Sequence, residues 1–518
     1  MTLYVLLSSI TLLARCSSRE DTAMRKLALL DRYNLAQRTL GYPHPITLLL
    51  TFLSKISLPT RDFLIPRIEE LQSRLPLLHA HVVGPRTRKP RFELNQALWT
   101  AEDVLHHAEY DSERDTDLSL VGQEIERVNA DRAKSEDDPL WRITLYTSLS
   151  SDVAYLALTI DHLITDGMGI LNLLQALLLP SLSHVKQMRL EDVPRLEKTI
   201  SLRPSLQQLI PIAYQELFVP NLPKFLRNRL LPQQPWPAKR ILRPGTDCSF
   251  AQSVFIIDAP LVQTLKAVSK RHGVRTLHPT LYFAYLAALW AVFLRNNSDH
   301  FLACTPRSER STGLGHCAFT GNYTGILETP VSFSLTSDFW AITRRFSQYL
   351  HSQAGIVASR SGMGMLAFLP DPAKASPPGP TGWENFLIEK AASTCPFRES
   401  FSFSNLGYTD LPIGASDILF NQTCTPYGQV LAISAVGHKN GIRLASGWME
   451  GCVVSGAEMR VVDEVLDRVL TRLVEDGTGK VTVGEEGCVV SSAETRVVDE
   501  VLDRSRTEGK MTVGELVA

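Results

Sequence analysis

Between Asp161 and Gly169 the chain reads Asp-His-Leu-Ile-Thr-Asp-Gly-Met-Gly, so His162, Asp166 and Gly167 fall in the pattern His-x-x-x-Asp-Gly. An imidazole titrates near neutral pH, and its neutral form can take a proton from an alcohol or an amine. A carboxylate four residues on could pair with a cation and hold the local geometry. Gly167 and Gly169 allow backbone angles and close approaches that other residues forbid. These residue types suit general-base chemistry on a small nucleophile. They also suit a histidine that is merely satisfied within the fold, since a pattern of common residues arises by chance.

The flanking residues supply a frame for the site. Val153 to Ile160 is a short, continuous, β-favouring run, which predicts a buried strand. Ile170 to Leu179 predicts a mostly buried helix, with Met168 and the nearby leucines as core. His162 would then sit where a strand ends, on a rigid support.

Several separated segments extend the pattern. They are Leu30-Asp31-Arg32-Tyr33, Asp138-Pro139-Leu140-Trp141-Arg142, Thr305-Pro306-Arg307 with Gly321-Asn322-Tyr323, and Phe403-Ser404-Asn405-Leu406-Gly407. Together with the histidine motif this ordered set, over about residues 25 to 475, resembles the coenzyme-A-dependent acyltransferase superfamily. That superfamily contains chloramphenicol acetyltransferase, the plant BAHD enzymes and the condensation domains of nonribosomal peptide synthetases. Within it the chain is most similar to the fungal alcohol O-acetyltransferases. It departs from condensation domains in carrying Asp161 where they usually have a first histidine. It departs from the BAHD enzymes in lacking the late Asp-Phe-Gly-Trp-Gly motif.

The resemblance implies an α/β fold of two chloramphenicol-acetyltransferase-like domains, with mixed sheets flanked by helices and an active-site channel between them. It implies acyl transfer from acetyl-CoA or another acyl-CoA, as cosubstrate, to a small-molecule alcohol or amine, with no metal and no tightly bound cofactor. His162 would be the general base. Asp166 would be structural, paired with Arg307 in preference to Arg142, and Gly167 would serve the turn. Ser404 or Asn405 would donate to the oxyanion. The competing readings are a secondary-metabolite O- or N-acyltransferase of the condensation-domain-like type and a non-catalytic relative that binds without turnover.

Bulk properties bound these readings. At 518 residues the chain exceeds the usual single-domain size. Hydrophobic residues at 44% and charged residues at 21% are ordinary globular values. A net charge of −1 and the lack of a basic cluster with interleaved aromatics give no case for nucleic acid. Eight cysteines without a Cys-x-x-Cys pair point to a reducing compartment, not to structural zinc or a disulfide framework. The expectation is a cytoplasmic monomer, with peripheral contact to an endomembrane or lipid droplet left open.

The expected organisation is an apolar leader at 1–20, a first domain at 21–230, a proline-rich crossover at 231–248, a second domain at 249–475, and a loosely ordered tail at 476–518. The leader is too short to span a bilayer comfortably and has no positive charge before it. It reads as a signal peptide, a membrane-surface helix or a leader from an upstream start codon, the last two preferred. In the tail Glu450–Arg468 recurs as Glu486–Arg504 with two changes, Gly456 to Ser492 and Met459 to Thr495. Lys480-Val-Thr-Val-Gly-Glu485 recurs as Lys510-Met-Thr-Val-Gly-Glu515. Two copies are too few for a solenoid, and the second is expected to find no slot in the core. Paired His106-His107 suggests a metal site, but the better reading is a solvated loop or helix end.

Overall fold

The computed structural model describes residues 24–95, 99–134, 138–204, 249–295, 300–310, 312–369, 379–392, 399–478 and 511–517, with Asp371, Phe397 and a scatter of residues from 209 to 236. The apolar leader, most of the crossover and the duplicated segment from 479 to 510 lie outside the described residues.

Three strands make a small antiparallel sheet in the order β1 (Met24–Lys26), β4 (Arg91–Leu94), β3 (Ala80–Val83). The first large sheet uses β2 (Pro45–Phe52), β5 (Leu105–Glu109), β6 (Trp141–Thr147), β7 (Ala154–Asp161) and β12 (Ala415–Gln422), in the order β12-β2-β7-β6-β5. The second uses β8 (Phe250–Asp258), β9 (Phe301–Ser308), β10 (Thr324–Val331), β11 (Glu399–Tyr408), β13 (Gln429–His438) and β14 (Gly441–Met449), in the order β10-β9-β11-β13-β14-β8. Both large sheets are mixed, as β5–β6 and β9–β11–β13 are parallel and the other pairs antiparallel. The architecture is therefore the expected two-sheet α/β fold, except that β12, from the second half of the chain, completes the first sheet beside β2.

Helices cover the sheets. They are α1 (Leu29–Thr39), α2 (Arg61–Arg74), α3 (Asp117–Lys134), α4 (Gly167–Leu178), α5 (Ala259–Arg271), α6 (Leu277–Phe293), α7 (Phe339–His351), α8 (Gln353–Gly364), α9 (Gly382–Ala391) and α10 (Gly456–Thr478), with a last turn α11 (Val513–Val517). Strand β7 shows why the sequence reads as it does. All eight of its residues are buried. Tyr155 and Ala157 pack with Leu120 and Val121 of α3, while Leu156, Leu158 and Ile160 join the core that includes α2 and α4. A strand covered on both faces needs a continuous apolar run, not an alternating one. Helix α6 is apolar all round for the same reason and is the centre of the second core.

Helix α2 begins at Arg61, where the Thr60 hydroxyl accepts from the Phe63 amide and caps the first turn. One expectation changes. His106 and His107 lie in β5, paired in parallel with β6, and are neither loop nor helix end.

The tail also departs from expectation at its far end. Val513, Leu516 and Val517 are buried in the α6–α10 core. The Val513 amide donates to Ser337 O at 2.8 Å, the Gly514 amide to Leu335 O at 3.1 Å, and the Phe339 amide to Met511 O at 3.0 Å. Thr512 and Glu515 cap the turn reciprocally, at 2.7 and 3.2 Å. Aligned with the earlier copy, Leu516 and Val517 stand where Glu486 and Gly487 would fall. The apolar pair gives the later segment the burial that anchors it. Leu516→Ala should therefore destabilise the protein by about 2–5 kcal/mol, seen as a lower thermal midpoint, whereas truncating a loose tail would change nothing.

Candidate active site

His162 is the first residue after β7. Its neighbour across the sheet is His44, the residue before β2, because Pro45 pairs with Asp161. The His162 amide donates to His44 O at 3.0 Å, and the two rings lie 5.2 Å apart at a 31° tilt. Asp161 turns away from both, pairs with Arg38 and accepts from the Leu163 amide at 2.9 Å.

The tautomer of His162 follows from its partners. Asn322 donates through Nδ2 to Asp31 Oδ1 and to His162 O, each at 2.9 Å. A carboxylate and a carbonyl can only accept, so the amide nitrogen must face them and Oδ1 must face the imidazole. His162 Nδ1 lies 3.1 Å from that oxygen and must donate to it. The proton sits on Nδ1, and Nε2 carries the lone pair that a general base needs. Asp31 is held in turn by Arg25 Nη1 at 2.8 Å and by the Ala28 amide at 2.9 Å. Asn34 donates to His162 O at 2.8 Å from α1.

Asp166 caps α4, accepting from the Gly169 amide at 3.0 Å. It also accepts from Arg310 Nε at 2.9 Å and from the Tyr323 amide at 2.9 Å. Burial alone would raise this carboxyl, but the Arg310 guanidinium and the two amides outweigh it and hold it below the usual carboxylate range. Arg310 spans the loop from Cys317 to Tyr323, donating to Cys317 O and to Gly321 O and lying over the Tyr323 ring. The expected partner Arg307 is instead paired with Glu309, which also binds Arg360, and Arg142 faces Glu124 at 3.7 Å. Arg307 ends a strand whose register points it at Glu309; only the loop beyond carries an arginine back to Asp166.

The glycines act by leaving space. Neither Gly167 nor Gly169 has a positive φ, so the turn does not require them. A Cβ on Gly167 would stand 2.9 Å from Leu406 Cδ2. On Gly169 it would meet Thr165 and Arg310 side chains and stand 2.7 Å from Phe319 O.

His162 opens on a cavity of ≈ 1300 Å³, its mouth included, lined by both halves of the chain. Helix α1 and the ends of β2, β7 and β12 line it together with β9, β10, β11, α8 and α9. Ser404 lines it; Asn405, next along β11, lines a different pocket and accepts from the Gly407 amide at 2.7 Å. Side chains alternate across a strand, so only one of the two candidate donors can face His162. Among the described residues no group of three or more histidines, cysteines or acids is placed to hold a metal ion, and no helix is long and apolar enough to cross a membrane.

Asn322, Asp31, Arg310 and His44 have no role in the sequence reading. Asn322 and Asp31 fall in segments with a family resemblance, which was the available signal. Nothing in the spacing singles out Arg310 or His44.

No protein-family model and no curated protein matches the chain. Solved structures match in fold. The condensation domain from monacolin K polyketide synthase gives a TM-score of 0.56 over 88% of this chain and 98% of its own, at 11% identity. The first condensation domain of the calcium-dependent antibiotic synthetase, in complex with a substrate analogue, gives 0.55 over 90% and 100%, at 13% identity. The starter condensation domain of rhizomide synthetase, a variant in complex with C8-CoA and Leu-SNAC, gives 0.54 over 88% and 95%, at 12% identity. The likeness is one of fold: the chain shares the two-lobed condensation-domain architecture.

Asp166→Asn leaves the Arg310 charge buried without its partner and should cost about 3–5 kcal/mol. The sign of the pH dependence follows. A carboxyl whose folded pKa lies below its unfolded value stabilises the fold above about pH 4, and that stability is lost as pH falls through the folded pKa. Thermal midpoints across pH 2.5–7 (roughly the range that brackets this titration) should therefore fall less steeply on the acid side in the variant than in the wild type. Gly169→Ala should destabilise without removing a charge.

Proposed function

We propose that the protein is an acyltransferase moving an acyl group from coenzyme A to a hydroxyl, in the manner of the alcohol O-acetyltransferases, with His162 as general base. The observation that carries this reading is the Nε2 lone pair of His162, fixed by Asn322 beside a cavity lined by both halves of the chain.

His162 Nε2 takes the acceptor's O–H proton as the oxygen attacks the thioester carbonyl. The new C–O bond forms and the carbonyl electrons move onto oxygen. Ser404, which lines the same cavity, is the donor for that oxyanion. The intermediate then reforms its C=O, breaks the C–S bond, and the thiolate takes the proton back from Nε2. Ester and free coenzyme A thiol leave, and the imidazole is again neutral. The Asn322 oxygen matters most while His162 is protonated, since it accepts from Nδ1–H and stabilises the imidazolium. Asp166 takes no proton. It holds the turn against the loop that bears Asn322.

A second reading, O- or N-acyl transfer onto a secondary-metabolite scaffold, is favoured by the fold shared with condensation domains. An amine acceptor would use the same base and the same cavity. Asp161 in the place of their first histidine does not interfere, because it points to Arg38 and away from the cavity.

The test is thiol release from acetyl-CoA over a panel of alcohols and amines. His162→Ala should lower turnover by roughly 10²–10⁴-fold; full turnover in that variant would overturn the base assignment. Asn322→Ala frees the wrong tautomer and should lower kcat roughly 10–100-fold with KM little changed. Acceptor preference within the panel separates the two readings.

A further inference from the structure

The wall beside His162 carries polar groups with nothing to bond. His44 Nε2, Gln422 Nε2 and Thr423 Oγ1 are shielded from water and have no hydrogen-bond partner. All three residues line the His162 cavity. Gln422 and Thr423 are 7% and 4% exposed, so bulk water does not serve them. Leaving such a group unmet costs about 1–3 kcal/mol, and natural folds rarely leave three together.

The grouping follows from the sheet. Strands β12, β2 and β7 run side by side, with Gln422 opposite Ile46 and Pro45 opposite Asp161. Gln422 on β12, His44 before β2 and His162 after β7 therefore fall on one face of the sheet, and Thr423, just past the end of β12, lines the same cavity. Their neighbours show that the gap is local: Thr425 donates to Gln37 Oε1 at 2.7 Å on the same wall. His44 Nε2 can donate or accept according to its tautomer. Gln422 offers donors, and Thr423 offers either. Burial, with the nearby His162 adding to it, pushes His44 down to about 3, so the three residues carry no charge at working pH.

We propose that His44, Gln422 and Thr423 form a subsite for a second, uncharged hydrogen-bonding function of the acceptor, a hydroxyl or an amide. Strand spacing puts it about 5–10 Å from His162. This rests on the acyl-transfer reading and deepens it: the acceptor is difunctional, not a simple aliphatic alcohol. An anionic group is disfavoured because the three residues offer no cation.

The experiment pairs mono-alcohols with diols of the same length, 1-butanol with 1,4-butanediol and 1-hexanol with 1,6-hexanediol. Each pair is run on wild type, Gln422→Met and Thr423→Val, whose side chains keep the volume and lose the polar group. Melting curves first confirm that the variants fold. Wild type should show a kcat/KM for a diol at least tenfold above that of its mono-alcohol, carried by KM, and the variants should lose that ratio. A wild-type ratio near one for both pairs, or the same ratio in the variants, overturns the subsite. Calorimetric titration of His162→Ala with the same ligands needs no turnover. If no acceptor releases thiol, the acyl-transfer reading fails, while a diol preference in that titration, or its absence, still decides the subsite.

Discussion

A carboxylate withdrawn from water must have its lone pairs met, and Asp166 meets them with atoms from two distant parts of the chain. The Gly169 amide belongs to its own helix; the Arg310 guanidinium and the Tyr323 amide come from a loop beyond β9. A buried ion pair of this kind contributes little net stability over an apolar pair of the same size, because both charges must be desolvated. It does define one arrangement. With Asp166 bound to Tyr323 N, the preceding residue, Asn322, is carried to His162. The same loop adds the Gly321 amide to Ile164 O at 2.6 Å and Thr165 Oγ1 to Phe319 O at 2.8 Å. His162 is thus oriented through a pair in which it takes no part.

The second constraint is sheet pairing. Without β12 the first sheet would end at β2, and His44 would border an open edge. With β12 in place, the cavity gains a polar wall from residues almost four hundred positions along the chain from β2. Strand ends in register then put two imidazoles and the Gln422 amide on one face of the sheet. Strands β9, β10 and β11 of the second sheet line the same cavity, so neither half of the chain encloses the site alone.

Several features were legible without coordinates because they are local. The eight-residue apolar run of β7 and the apolar α4 follow from residue type and periodicity, and the histidine at the strand end follows from both. Glycines at 167 and 169 signal a tight place, but the reason is local only in part: the atoms a Cβ would strike belong to Leu406, Arg310 and Phe319, remote in sequence. At the far end of the tail, only the core shows that Leu516 and Val517 fill space between α6 and α10.

The sequence by itself determined which residue could act as a base and that a buried strand and a buried helix flank it, since these depend on residue chemistry and short-range periodicity; the two-sheet α/β class came from the resemblance carried by its ordered segments. The tertiary structure decided which arginine pairs with Asp166, which of Ser404 and Asn405 faces the cavity, which nitrogen of His162 holds the proton, and that β12 crosses to the first sheet. Each of these depends on what lies opposite a side chain in space. A loop register or a strand pairing sets that, and one sequence carries no record of it.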